Sequence, residues 1–139
     1  MTHGGVGELR FRFLHTYVVV PDVAPGTYTV RSARYQYRVL DIAEREVAVY
    51  DWHPEGISPV RTPHLHVPAA GAITLAQRPG TPRADAKTYL GRLHFPTAGI
   101  TLEDILELLI REFGVDPVRS DWEAVLQANR EVTDRGRTE

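Results

Sequence analysis

The hydrophobic period of this sequence changes once, near residue 100, and that change limits the fold more than any other feature. Up to Phe95 apolar residues recur at every second position, the spacing of a strand; from Thr101 they recur at the spacing of a helix. A chain that is first strands and then helices folds as α+β, with its helices gathered on an antiparallel sheet.

The strand half divides into five segments. Leu9, Phe11 and Phe13 alternate with Arg10 and Arg12, and this strand runs on into Tyr17–Val20. After the turn residues 21–26, a second strand spans Thr27 to Leu40, with Tyr35, Tyr37 and Val39 on one face and Arg34, Gln36 and Arg38 on the other. Its parity falters at Arg31 to Ala33, which predicts a bulge. Asp41 to Arg45 reads as a hairpin turn into a third strand, where Ala48, Tyr50 and Trp52 oppose Val47, Val49, Asp51 and His53. Residues 54–63 form a loop, His64–Val67 a short strand, residues 76–88 a surface loop, and Tyr89 to Phe95 the last strand.

In the helical half, Leu102, Ile105, Leu106, Leu109 and Phe113 make one apolar stripe, Thr101 caps it, and Gly114 ends it. Ser120–Glu123 matches a capping box, and Trp122, Val125 and Leu126 begin a second stripe. The expected fold is a single antiparallel β-sheet of about five strands with two C-terminal helices packed on one face. That face is the aromatic one, supplied by Tyr35, Tyr37, Tyr50, Trp52 and Phe95. At 139 residues the chain suits a single domain, 1–139, β-rich over 8–95 and helical over 101–133, with flexible ends.

Composition removes several functions. The absence of cysteine excludes disulfides, thiolate metal sites and cysteine nucleophiles. No apolar run approaches the roughly 18 residues that span a bilayer, and the first residues lack a signal-peptide pattern, so the expectation is a soluble, cytoplasmic protein. No P-loop, G-x-S-x-G or H-E-x-x-H motif occurs. The formal net charge of −2 hides two halves: eleven basic residues against eight acidic ones in 1–100, five against ten in 101–139.

If helices cover the aromatic face, the opposite face carries Arg34, Gln36, Arg38, Asp51, His53, His64, His66, Arg92 and His94 by parity. The ordinary reading of such a face is a solvated polar surface. The His64-x-His66 pair, side by side on a strand, supports two further chemistries. As acid and base, His64, His66 and His94 could divide the proton transfers of ribonucleotide cleavage, with Arg34, Arg38, Arg61 and Arg92 holding phosphate and Asp51 orienting a histidine. As ligands, His64 and His66 could chelate a metal completed by His53, His94 or Asp51. A cupin-type site is disfavoured, because Val67-Pro68-Ala69-Ala70-Gly71 follows where such a motif places a glutamate.

The run Tyr35–Asp41 (Y-Q-Y-R-V-L-D), then V-Y-D-W-H-P at 49–54, T-P-H-L-H at 62–66 and the I-T-L-E-D-I-L-E-L-L-I helix resemble the small TumE-type toxins of bacterial toxin–antitoxin systems. The resemblance covers about half of the chain. It implies a ribonuclease encoded with a helix-turn-helix antitoxin, and it points to Asp51, His64 and His66, with no counterpart for His53 and His94. The chain departs from that pattern in its longer Glu55–Thr62 loop, its single residue between the cluster histidines and its added Trp122 helix.

The leading expectation is therefore a metal-independent endoribonuclease of toxin type. His64, His66, His94 and Asp51 are its catalytic group; Arg34, Arg38, Arg61, Arg92 and His53 bind substrate, and no metal or other cofactor takes part. RNA and an antitoxin protein are the expected partners, a homodimer is allowed, and no membrane is involved. The alternatives are a non-catalytic nucleic-acid or protein binding module, and a His-x-His metal protein.

Overall fold

The computed structural model describes residues 8–57, 59–74, 87–89 and 93–135. In chain order its elements are β1 (Arg10–Pro21), β2 (Tyr28–Leu40), β3 (Glu46–Trp52), β4 (His64–His66), β5 (Ala72–Thr74), β6 (Lys87–Tyr89), β7 (Phe95–Pro96), α1 (Leu102–Arg111) and α2 (Trp122–Arg135). One open antiparallel sheet has the order β1-β2-β3-β4-β7, and β5 with β6 makes a separate two-stranded ladder. With both helices after the strands, the architecture is α+β.

Register fixes which residues share a face. The β1–β2 hairpin pairs Arg10 with Leu40 through Thr16 with Arg34, then resumes at Tyr17 opposite Ser32, leaving Ala33 as the extra residue of a bulge. That bulge falls where the alternation of the sequence falters. Across β2 and β3, Tyr35 faces Trp52, Tyr37 faces Tyr50 and Val39 faces Ala48. The connecting turn closes with Asp41 N–H donating to the Arg45 carbonyl at 3.0 Å, and Glu44 takes the left-handed conformation at φ 62°.

The core lies on the aromatic face. Tyr35, Tyr37, Val39 and Ala48 from the sheet cluster with Ile105 and Leu109 of α1, and the Tyr35 and Tyr37 rings stack 4.9 Å apart. Val39, Ile105 and Leu109 each contribute roughly 1.5–3 kcal/mol on removal from water. The backbone N–H of Ile100 donates to the Tyr35 hydroxyl at 3.2 Å, which fixes the entry into α1. α1 begins with a full capping box: Asp104 N–H donates to Thr101 Oγ1, and Thr101 N–H donates to the Asp104 carboxylate.

α2 attaches to α1. Leu126 is buried, Arg130 pairs with Glu107 and Asp104, and Arg111 reaches Glu123 at 2.8 Å while lying 5.0 Å from the Trp122 ring centre. Arg111 thus binds a carboxylate and an aromatic face together.

One strand differs from expectation. Tyr89 to Phe95 is not continuous: Tyr89 ends β6, paired with Ala72, whereas Phe95 begins β7, paired with Leu65. The two ends of that stretch answer to different partners, so the alternation across it does not belong to one ladder. Residues 90–92, with Arg92, lie outside the described residues, as do most of the 76–88 loop and both chain ends. Among the described residues no helix is long and apolar enough to cross a membrane.

Candidate metal centre

β4 is three residues long and projects His64 and His66 to the face opposite the aromatic core, while Leu65 between them turns to the core opposite Tyr50 and Phe95. Leu40, Val49 and His64 are buried on that opposite face, so it is not the open one expected. Across the sheet His64 faces Asp51 and His66 faces Val49. Pairing of Leu65 with Phe95 fixes β7, and the Thr97 N–H donating to the Pro63 carbonyl at 3.0 Å holds the far side of β4. His94, one residue before Phe95, therefore comes to the same face as the β4 histidines.

The three rings meet. Centroids of His64 and His66 are 5.0 Å apart, His64 and His94 4.8 Å, His66 and His94 4.5 Å. One ring nitrogen from each lies within 4.8 Å of the others. A tetrahedral ion with metal–nitrogen bonds of about 2.0–2.1 Å holds its donors about 3.3 Å apart, so loading requires them to close by at most about 1.5 Å. Rotation of the imidazoles supplies a movement of that size.

His64 is the anchor. It is 2 % exposed, and its Nδ1–H donates to the Thr62 carbonyl at 2.8 Å. A carbonyl only accepts, so the proton is on Nδ1 and the lone pair of Nε2 is left to the cluster. Metal-binding histidines are commonly oriented by such a carbonyl. Desolvation first, and then His66 and His64, lower the pKa of His94 below the ordinary imidazole value even though the residue is exposed overall. Neutral imidazole is the form that binds metal.

Beside this trio, His53 lies with its ring centroid 6.0 Å from that of His64. Its Nδ1–H donates to Asp51 Oδ1 at 3.0 Å. The turn that follows folds over the ring. Gly56 N–H donates to the His53 carbonyl at 3.1 Å, and a Cβ at Gly56 would lie 2.3 Å from His53 Cδ2.

The arginines are distributed differently. Arg38 pairs with Glu46 at 3.5 Å, and Arg61 Nη1 donates to the Pro54 carbonyl at 3.2 Å, bracing the loop that carries Gly56. Arg34 Nε donates to Thr16 Oγ1 at 3.1 Å, and Arg34 borders a cleft of about 140 Å³ with Gln36, Asp51 and His53. The structure thus gathers His64, His66 and His94, sets Asp51 and His53 next to them, and places Arg34 at the edge. The Thr62 carbonyl and Gly56 were not foreseen. Any residue can offer a carbonyl, so Thr62 leaves no mark in the sequence, and Gly56 was legible only as part of a turn.

The chain matches no family model, no curated protein and no solved structure.

Proposed function

We propose that His64, His66 and His94 form a three-histidine centre for a divalent transition-metal ion, and that the protein is a metal-dependent hydrolase. The observation that carries the reading is the convergence of three imidazoles, one of them buried with its tautomer set by the Thr62 carbonyl. Three nitrogen ligands suit zinc and its neighbours, and such sets leave a coordination position for water or substrate. Of the three, His94 is exposed to solvent while His64 is buried. A bound ion would supply Lewis acidity and a water of lowered pKa. Of the chain's own groups, the Asp51–His53 pair stands next to the centre.

Tag-free protein, stripped with chelator and dialysed against zinc, is expected to bind one ion per chain. Zinc at 100 times Kd then adds about 2.7 kcal/mol to unfolding. Because His64 is buried, His66→Ala and His94→Ala are the cleaner variants; each should retain the fold and lose at least tenfold in zinc affinity. A folded wild-type chain that takes up no stoichiometric metal overturns the reading.

A second reading is favoured by the hydrogen-bonded His53–Asp51 pair and by Arg34 on the same face. It is a toxin-type endoribonuclease that works without metal, with histidines as acid and base, arginine holding phosphate, and an antitoxin as partner. RNA cleavage undiminished by chelator and abolished in the folded His66→Ala, His94→Ala double variant supports it. Loss of cleavage on metal removal decides for the metal centre.

A further inference from the structure

Among the described residues, most arginines on the sheet face opposite the aromatic core are paired with carboxylates. Arg10 and Arg12 bind the two carboxylate oxygens of Glu44, and Arg38 pairs with Glu46. Asp51, the acidic side chain nearest the histidines in the sheet, is engaged by His53. Arg34 differs: among the described residues no carboxylate lies within 4.0 Å of it, and Thr16 takes only its Nε–H. Its terminal nitrogens therefore carry N–H donors with no partner among the described residues, on a guanidinium whose plane is steadied by Thr16. Such a fork matches the geometry of an oxyanion.

The place of this guanidinium is as informative as its charge. Leu14, Gln36, Asp51 and His64 form one row across β1 to β4, each opposite the next. The cleft that Arg34 borders contains Leu14, Gln36, Asp51 and His53, so His53 touches both the cleft and the ring of His64. Gln36 is two strand spacings from His64, roughly 9.6 Å. Gln36 adds an amide donor on the inner wall, and Leu14 gives that wall an apolar end.

We infer that this cleft binds an oxyanion of the substrate, held by Arg34 and Gln36, while the reacting group lies at the three-histidine centre. The ligand class is an extended anion, phosphoryl or carboxylate, with its charge more than two strand spacings from the bond that reacts, since Arg34 lies two residues along β2 from Gln36. The assignment of the second position rests on the metal reading; the anion site itself does not. No bond is made or broken at Arg34, which serves only to bind.

The test is a titration of chelator-stripped protein with inorganic phosphate and, in parallel, with acetate, followed by amide and guanidinium NMR. In the stripped protein neither anion can be captured by a bound metal. Saturable shifts at Arg34 Nε–H and Gln36 are expected with at least one anion, and the tighter of the two identifies the oxyanion class. Arg34→Met should lower that affinity at least tenfold while leaving the zinc affinity and melting temperature unchanged. Arg34→Lys should recover only part of it, since an ammonium lacks the fork. Equal affinity in wild type and Arg34→Met, or no saturable shift with either anion, overturns the inference. Anion binding at Arg34 in a chain that takes up no metal would leave the cleft standing and remove only the metal reading.

Discussion

His53 shows how much of the site depends on single contacts. Asp51 fixes its Nδ1, its ring edge meets His64, and Gly56 lies against Cδ2 so closely that a methyl group there would sit 2.3 Å away. The glycine is needed for this close approach. Gly56→Ala must either rotate the imidazole off Asp51 or open the turn. Overpacking of this kind costs about 1–3 kcal/mol. The downfield Nδ1–H resonance of His53 is expected to weaken or vanish in Gly56→Ala, with zinc binding by His64, His66 and His94 retained. A variant with that resonance intact and wild-type stability would show that the turn has slack.

At the scale of elements, α1 is held at both ends and by its middle. Thr101 closes a reciprocal cap at its start, Ile105 and Leu109 enter the sheet core, and Gly114 takes a left-handed φ of 65° just beyond its end. Thr101→Ala removes one half of the cap and should cost about 1 kcal/mol in urea unfolding. Ile105→Ala, at a position 1 % exposed, leaves a cavity and should cost about 2–5 kcal/mol in the same measurement. A loss below 1 kcal/mol for Ile105→Ala would mean that α1 does not pack as described.

These elements were legible because their signals are local. Alternation in β2 and β3 assigned Tyr35, Tyr37, Ala48 and Trp52 to one face and Arg34, Gln36, Asp51 and His53 to the other, and the change of period announced α1. Even His94 reached its expected face through its parity with Phe95, although the strand drawn around it was wrong. What the residues could not reveal is partnership. β4 and β7 are three and two residues long, with the β5–β6 ladder between them in sequence, so no periodicity says that they pair. A polar face read from parity alone treats every histidine on it alike, so neither the burial of His64 nor its bond to Thr62 could be read from it.

Across the described residues, Arg10, Arg12, Arg34, Arg38, His64 and His66 share the sheet face opposite the aromatic core, and ten of the eighteen acidic residues of the chain fall in 101–139. Ion pairs join the two helices: Arg111 bonds Glu107 and Glu123, and Arg130 bonds Glu107 and Asp104. Arg111 first, and then Arg130, hold the Glu107 carboxyl below the ordinary value of 4.5 by hydrogen bonding to it. A carboxylate whose pKa is lower folded than unfolded adds stability that is full above 4.5. That part is lost as pH falls through the lower folded value, when the proton breaks the link to α2. Glu107 is partly exposed, so solvent screening reduces the effect. Acid unfolding of wild type should therefore steepen below pH 4.5, and Glu107→Gln, already neutral, should be less stable near pH 7 yet fall less steeply over that range. Urea midpoints measured from pH 7 down to pH 3 test this. Parallel pH curves for the two chains would mean that the Arg111–Glu107–Arg130 network does not hold α2 onto α1, and that burial of Leu126 alone does so.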